Sequence, residues 1–77
     1  MPSDPLPARV LARRQAIGDQ VRAARIAKKL SQEKLGELAG LDRKTINRIE
    51  QGTHATDLDN LLLIADALDT PLADLVR

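Results

Sequence analysis

The sequence predicts an all-α protein, a compact bundle of five short helices preceded by an N-terminal extension that is helical or disordered. Three observations predict this class. Apolar side chains recur every three or four residues, which is the period of a helix buried on one side. Capping residues and glycines divide that pattern into short segments. No stretch alternates apolar and polar residues as a half-buried strand does.

Composition narrows the choice of function. At 77 residues the chain is expected to form one small domain. It has no cysteine, and its single histidine, His54, is too few for a structural zinc site, so neither a metal nor a cofactor is expected. Phe, Tyr and Trp are also absent, whereas proteins that bind single strands stack bases on those rings. Double-stranded DNA is therefore the favoured nucleic-acid partner.

Charge is distributed unevenly along the chain. Residues 1–30 carry seven Arg or Lys and two Asp, which gives +5, and residues 31–52 are neutral. Residues 53–77 carry five Asp and one Arg, which gives −4. One basic and one acidic end suit a molecule that presents one side to phosphates. No apolar run approaches the roughly 20 residues of a membrane span, and no segment resembles a signal peptide, so a cytoplasmic location without membrane contact is expected.

The first helix is expected to start at Pro7, because proline is tolerated in a first turn, and to reach about Lys28. Gly18 weakens its middle by roughly 1 kcal/mol relative to alanine. A break into two helices near Ala16 is therefore left open. The apolar positions assigned to this segment are Leu6, Val10, Ile17, Val21 and Ala24.

Cap residues set the limits of the second and third helices. Ser31 is a good N-cap for the second helix, and Gly40 is a typical stop in the left-handed conformation. Asp42 is expected to cap the third helix, which Gly52 ends in the same way. The buried stripe assigned to the second helix is Leu35, Leu38 and Ala39.

The fourth helix is expected to open with a capping box, since Thr56 and Asp59 have the required spacing. Thr70 and Pro71 are expected at the N-cap and first position of a short last helix. The apolar positions of these two helices are Leu58, Leu61, Ile64, Ala65, Leu68, Leu72 and Leu75.

The third helix carries different chemistry on its two faces. At about 100° per residue, Ile46 and Ile49 point away from an arc of basic and amide side chains. That arc consists of Arg43, Lys44, Asn47 and Arg48. Cations in a first turn oppose the helix dipole by a few tenths of a kcal/mol each, so selection for stability alone would favour acids there. The pattern is typical of a helix that reads DNA, and the alternative is an ordinary solvated helix face.

These segments resemble the Cro/cI-type helix-turn-helix family of phage and bacterial regulators, also called the XRE family. The family's core is matched by IGDQVRAARIAKKLSQEKLGELAGLDRKTINRIEQG, and its last two helices by LDNLLLIADALDTPLADLV. The resemblance implies a lambda repressor-like DNA-binding domain at residues 15–77, with residues 1–14 as an N-terminal extension. It also implies a transcriptional regulator, a repressor or controller protein, that reads an inverted-repeat operator as a homodimer.

The resemblance implies roles for individual residues. Arg25 and Glu50 match a pair that forms a structural salt bridge in relatives. Base readout would fall to Arg43, Lys44, Asn47 and Arg48. Phosphate contacts would fall to Ser31, Gln32, Thr45, Thr53 and His54. The alternative for Thr45 is packing beside the DNA backbone, and the alternative for His54 is an exposed loop histidine without a role. The dimer contact is expected at Leu62, Leu63, Leu72 and Val76.

Two features depart from the family pattern or extend beyond it. Lys29 stands where the family often has glycine, so either a lysine adopts the left-handed conformation or the first helix ends differently. Arg9, Arg13 and Arg14 lie upstream of the match and would contact flanking phosphates or a minor groove. The alternative for those arginines is a solvated helix face.

The rival function is an antitoxin or a bridging module whose main partner is another protein, a toxin or a component of the transcription machinery. Catalysis is not expected. Ser3 and Ser31 have no adjacent base, and the paired acids of the second and fourth helices are explained as caps and solvated side chains. No glycine-rich phosphate loop is present.

Overall fold

The computed structural model describes residues 5–77, which form five α-helices and no strand within that range. The helices are α1 (Ala8–Ala27), α2 (Gln32–Ala39), α3 (Arg43–Gln51), α4 (Leu58–Ala67) and α5 (Leu72–Leu75). The predicted all-α class and helix number are confirmed. Residues 1–4 of the expected extension lie outside the described residues. None of the described helices has the length and apolar character needed to cross a membrane.

Helix α1 is continuous through Ala16, so the break considered from the sequence is absent. Gly18 has a packing role instead. A Cβ at this position would lie 2.4 Å from the carbonyl oxygen of Ile49 and 2.6 Å from that of Glu50. Only a residue without a side chain permits this approach. Gly18 therefore allows α1 to lie directly against the second half of α3.

The core is entirely aliphatic and lies where the five helices meet. Burying each of its larger side chains contributes roughly 1.5–3 kcal/mol before conformational entropy is charged. Its buried members are Val21, Leu35, Ala39, Ile46, Ile49, Leu61, Ile64, Ala65, Leu68 and Leu75.

Four of the apolar positions assigned from the sequence are exposed, and the predicted burial of Leu38 is wrong. Leu38 is 53% exposed and Leu58 is 60% exposed, and Leu6 and Val10 are exposed as well. Leu38 and Leu58 each lie three residues from a buried leucine of the same helix, whereas Leu6 precedes α1 and Val10 lies in its first turn. In α1, for example, packing against the core starts only at Ile17. Spacing identifies the side of a helix that is apolar, whereas the neighbouring helices decide how much of that side is covered.

The limits of α2 and α3 are confirmed, together with their caps. The side chains of Ser31 and Asp42 accept backbone N–H groups three residues ahead, at 2.9 and 2.7 Å. Gly40 and Gly52 have φ values of 74° and 66°. Glycine adopts this left-handed region without a steric penalty, which explains where the two helices stop.

The starts of α4 and α5 differ from the prediction. The N-cap of α4 is Asp57, whose Oδ1 accepts the N–H of Asn60 at 2.8 Å. The predicted capping box at Thr56 is therefore wrong, and the Oγ1 atom of Thr56 is buried without a hydrogen-bond partner in the described part of the chain. Helix α5 begins at Leu72 after Pro71, one residue later than predicted.

Two helices end in a left-handed residue that is not glycine. Lys29 after α1 has φ 58°, and Asp69 after α4 has φ 50°. After α1, the N–H of Leu30 donates back to the carbonyl of Arg25 at 3.2 Å, and the same pattern follows α4. The left-handed conformation costs about 1–2 kcal/mol, which this bonding of otherwise unpaired helix carbonyls offsets.

Candidate nucleic-acid interface

Helix α3 separates its apolar and polar residues as its sequence pattern predicts. Ile46 and Ile49 are buried in the core, where α3 packs against α1 and α2. The side chains on the opposite arc are exposed at three positions and half-buried at Asn47. The exposed ones are Arg43, Lys44 and Arg48. The exposed side of α3 therefore presents a row of cations, and the buried side packs into the core through its two isoleucines.

Arg25 of α1 and Glu50 of α3 form a bidentate ion pair. The Nε–Oε2 distance is 2.6 Å and the Nη2–Oε1 distance is 2.9 Å. Only 11% of the Arg25 side chain and 2% of the Glu50 side chain are exposed. The hydrogen bond to Glu50 raises the pKa of Arg25 above its usual value. Burial acts in the opposite direction and lowers the pKa by less. The pair fixes the C-terminal end of α1 to the last turn of α3.

Gln32, the first residue of α2, extends this pair to the exposed face. Its Nε2 atom donates to Glu50 Oε1 and to Asn47 Oδ1, both at 3.1 Å. A continuous chain of hydrogen bonds therefore runs from Arg25 through Glu50 and Gln32 to Asn47. The family resemblance assigned Gln32 to a phosphate contact and did not reveal its direct bond to Asn47, since that bond depends on side-chain rotamers of two helices.

The other residues assigned to phosphate contact lie at the ends of α2 and α3. Ser31 is exposed at the start of α2, and Thr45 is half-buried in the first turn of α3. Thr53 and His54 are exposed in the loop after α3, where the Thr53 Oγ1 and His54 Nδ1 atoms lie 2.8 Å apart. Thr45 and His54 line one pocket together with Arg48 of the basic face.

Asp42 adds a negative charge to the start of the basic helix. Hydrogen bonding with Thr45, through its side chain and its backbone N–H, lowers the pKa of the Asp42 carboxyl. Smaller contributions come from the positive charges of Lys44 and Arg48. The capping carboxylate therefore stays ionised and offsets part of the unfavourable placement of cations at a helix N-terminus.

The loop after α3 is anchored to α1 by a residue that sequence reasoning assigned to a basic cluster. Arg14 Nε donates to the carbonyl of Gly52 at 3.0 Å. A Cβ at Gly52 would lie 2.7 Å from the Cα of Gln15, so the chain leaves α3 in direct contact with α1. Arg13 Nη2 donates similarly to the carbonyl of Val76 at 2.8 Å. Two of the three upstream arginines therefore bind backbone carbonyls of this chain.

The four residues expected at a dimer contact divide into two groups. Leu62 and Leu63 of α4 are exposed and flanked by Asp59 and Asp66. The others, Leu72 and Val76, are half-buried and pack against the core. No group of three metal-ligating side chains is assembled within residues 5–77.

The sequence and the fold of this chain are similar to those of known proteins. A family model described as helix-turn-helix matches residues 21–75. A protein named uncharacterized HTH-type transcriptional regulator y4dL, from Sinorhizobium fredii, is 45% identical over 53 residues. That match covers 69% of this chain and 27% of the relative, so the chain spans about a quarter of that relative's length.

Two further relatives are of similar size to this chain. Control protein C.SmaI from Serratia marcescens is 33% identical over 63 residues, which cover 82% of this chain and 75% of the relative. The crystal structure of the restriction-modification controller protein C.AhdI from Aeromonas hydrophila superposes with a TM-score of 0.80 and 41% identity. It covers 83% of this chain and 97% of the controller chain.

Proposed function

This chain belongs to the helix-turn-helix family. On that premise we propose that it is a transcriptional regulator that binds double-stranded DNA in a sequence-specific manner. It reads an inverted-repeat operator as a homodimer and acts in the cytoplasm as a repressor or controller protein. The names of its relatives, a control protein and a restriction-modification controller protein, support this role.

The observation that carries the proposal is the exposed basic face of α3. Ile46 holds the helix against the core while Arg43, Lys44 and Arg48 face outward. The major groove is about 12 Å wide and admits one α-helix. Either arginine has the planar fork needed for a bidentate bond to guanine O6 and N7, and the lysine provides a further donor.

Phosphate contacts would position α3 in the groove. Both amide protons of Gln32 are used within the protein, so its contribution is the backbone N–H at the first turn of α2, where unpaired N–H groups favour an anion. Ser31, Thr53 and His54 are exposed on either side of α3, and Thr45 lies in its first turn. Each supplies a donor to the DNA backbone without specifying sequence.

Dimerisation would place one α3 in each of two major-groove segments, with half-sites about 34–36 Å apart. Leu62 and Leu63 support it, because two adjacent exposed leucines on an acidic helix suit an apolar contact. Leu72 and Val76 border the core, Leu72 lines a pocket together with Leu62, and both would complete the interface. A protein partner in place of a second copy is the rival, and the same two leucines would serve it.

The reading face is tested by measuring affinity for a duplex recovered by selection from a random library. Arg43→Ala and Arg48→Ala are each expected to lose about 1–3 kcal/mol of binding free energy and to relax one operator position. Arg22→Ala is the matched control, since it removes the same charge from an exposed position on α1.

Unchanged affinity and sequence preference in both α3 variants, with folding verified by circular dichroism, would show that another surface binds DNA. Failure of the unmodified protein to select any duplex would favour the rival function, a module whose main partner is a protein.

A further inference from the structure

Two side chains of α1 hold the segment that follows α5, and both precede the family match at residues 21–75. We infer that Arg13 and Gln20 are positioning residues for the dimer contact. They fix residues 76–77 against α1 and thereby set the place of α5 beside the exposed leucines of α4. This inference rests on the proposed dimerisation and gives the upstream part of α1 a role in it.

Three hydrogen bonds join α1 to this short segment, and we call them the clamp. Arg13 Nη2 donates to the carbonyl oxygen of Val76 at 2.8 Å. Gln20 binds the backbone of Arg77 at two points, since its Nε2 donates to the carbonyl oxygen at 2.9 Å and its Oε1 accepts the N–H at 3.2 Å. Arg13 and Gln20 are two helical turns apart, so both side chains leave the same side of α1.

Helix α5 depends on such contacts because it has little stability of its own. It spans only Leu72–Leu75, and its N-cap, Pro71, makes no side-chain capping hydrogen bond. A single helical turn is not stable in isolation, so its position is set by tertiary contacts. Leu75 is the one residue of α5 that is fully buried. The clamp adds a second attachment, beyond the end of the helix, which opposes rotation of α5 about that leucine.

The position of α5 affects the proposed dimer surface directly. Leu72 lines a pocket together with Leu62 of α4, and Val76 is bound through its own carbonyl by Arg13. A monomer in which α5 samples several positions must order it again on association. The apparent dissociation constant then rises in inverse proportion to the fraction of protein that has the competent arrangement. Each protomer of a homodimer carries one clamp, so this fraction enters twice.

The test compares dimer dissociation constants measured by sedimentation equilibrium. Arg13→Met and Gln20→Met keep an apolar stem of similar length and remove the hydrogen bonds of the clamp. Each is expected to raise the dissociation constant by about five- to thirtyfold, since the net contribution of one hydrogen bond is modest and is lost in both protomers. Arg13→Lys keeps the charge and a donor, and it is expected to remain within about threefold of the unmodified protein.

Arg9→Met and Gln15→Met are the matched controls. Both residues are exposed on α1 and take no part in the clamp, and the two substitutions remove the same chemical groups as the test variants. Their dimer dissociation constants are expected to stay within about twofold of that of the unmodified protein. Equal weakening of the dimer in the controls and the test variants would overturn the inference.

Urea unfolding, measured below the dimer dissociation constant, separates positioning from structural support. The unfolding midpoint of Arg13→Met is expected to change little, because the clamp orders one exposed end of the monomer and not its core. A lower midpoint together with an unchanged dissociation constant would show a purely structural role and would overturn the inference.

The remaining outcomes distinguish this inference from the proposal it rests on. An unmodified protein that stays monomeric would contradict the proposed dimerisation and, with it, the inference. Unchanged dimerisation of both Arg13→Met and Gln20→Met would overturn the inference alone. A third result would assign Arg13 to a phosphate instead: weaker DNA binding by Arg13→Met, with a salt slope lower by about one unit and dimerisation unchanged.

Discussion

The α2–α3 region and the α4–α5 region are stabilised in different ways. Helices α2 and α3 each have a side-chain N-cap and a glycine stop, and the Arg25–Glu50 pair ties α3 to α1. In the α4–α5 region only α4 has a side-chain cap, and the left-handed residue that follows α4 is Asp69 instead of a glycine. Neither helix joins an ion pair within residues 5–77.

The difference follows the chemistry that each region would contact. A surface that recognises base edges needs side chains held in defined directions, and a polar network with satisfied partners provides that. A surface that meets an apolar partner needs area and fit more than direction, and α4 offers Leu62 and Leu63 without any polar constraint. Loss of a network member should therefore be more damaging than loss of an exposed leucine.

The largest effect is expected from removing one partner of the buried ion pair. Arg25→Met would leave Glu50 as an uncompensated buried charge and is expected to lower the free energy of unfolding by about 3–5 kcal/mol. Urea denaturation measures this change. In the double variant Arg25→Met with Glu50→Met, much of the stability should return, because two apolar side chains replace the pair.

Lys34→Ala is the matched control for that comparison. Lys34 and Glu37 form an exposed pair at 3.4 Å, and exposed pairs contribute roughly 0–1 kcal/mol. Equal losses of stability in Arg25→Met and Lys34→Ala would contradict the importance given to burial in the α2–α3 region.

A smaller effect is expected where α1 meets α3. Gly18→Ala would place a methyl group against two backbone carbonyls, and overpacking of this kind costs about 1–3 kcal/mol. Gly40→Ala is the control, since its Cβ would meet nothing within 4 Å and only the left-handed φ of 74° opposes it. Thermal unfolding of both variants separates steric conflict from backbone strain. A more stable Gly18→Ala protein would show that the two helices can separate without loss.

Acid should weaken the cap of α3 in a defined range. The folded-state pKa of Asp42 is lowered, so its contribution is complete above the unfolded carboxyl value of about 3.9. That contribution is lost as the pH falls through the lower folded value. The free energy of unfolding of the Asp42→Asn variant, measured by denaturation at a series of pH values from 6 downward, should depend less on pH than that of the unmodified protein. If the Asp42→Asn variant and the unmodified protein showed the same pH dependence of unfolding, Asp42 would not be the source of that dependence.

The smallest effect on monomer stability is expected in the α4–α5 region. Leu63→Glu alters an exposed side chain, so unfolding of the monomer should change by no more than about 0.5 kcal/mol. Sedimentation velocity should nevertheless show a shift from dimer to monomer. Leu38→Glu, at another exposed leucine, should leave the dimer intact. A monomeric unmodified protein at high micromolar concentration would remove the basis for assigning these leucines to an interface.

The sequence predicted the features that depend on adjacent residues. Ser31, Gly40, Asp42 and Gly52 act within one turn of their own helices, so their roles follow from local chemistry. Helical spacing also identified the buried face of α3. These signals are enough for the fold and for the position of the basic face.

The remaining features depend on which parts of the chain meet in space. Helix propensity predicts that Gly18 weakens α1, yet the close approach of α3 requires a residue without a side chain at this position. Leu38 and Leu58 have the spacing of buried residues, but no neighbouring helix covers them. The bond between Gln32 and Asn47 joins residues 15 positions apart through their side-chain rotamers. Neither periodicity nor propensity contains this information.

Recognition of double-stranded DNA sequence by the exposed face of α3 underlies every other assignment. It is tested by selection of bound duplexes from a random library at near-physiological salt, followed by sequencing. We expect a pseudo-palindrome with half-site centres about one helical turn apart. We also expect that the preference disappears when Arg43 and Arg48 are both replaced by alanine. Salt-sensitive binding without any sequence preference in the unmodified protein would contradict this role for α3.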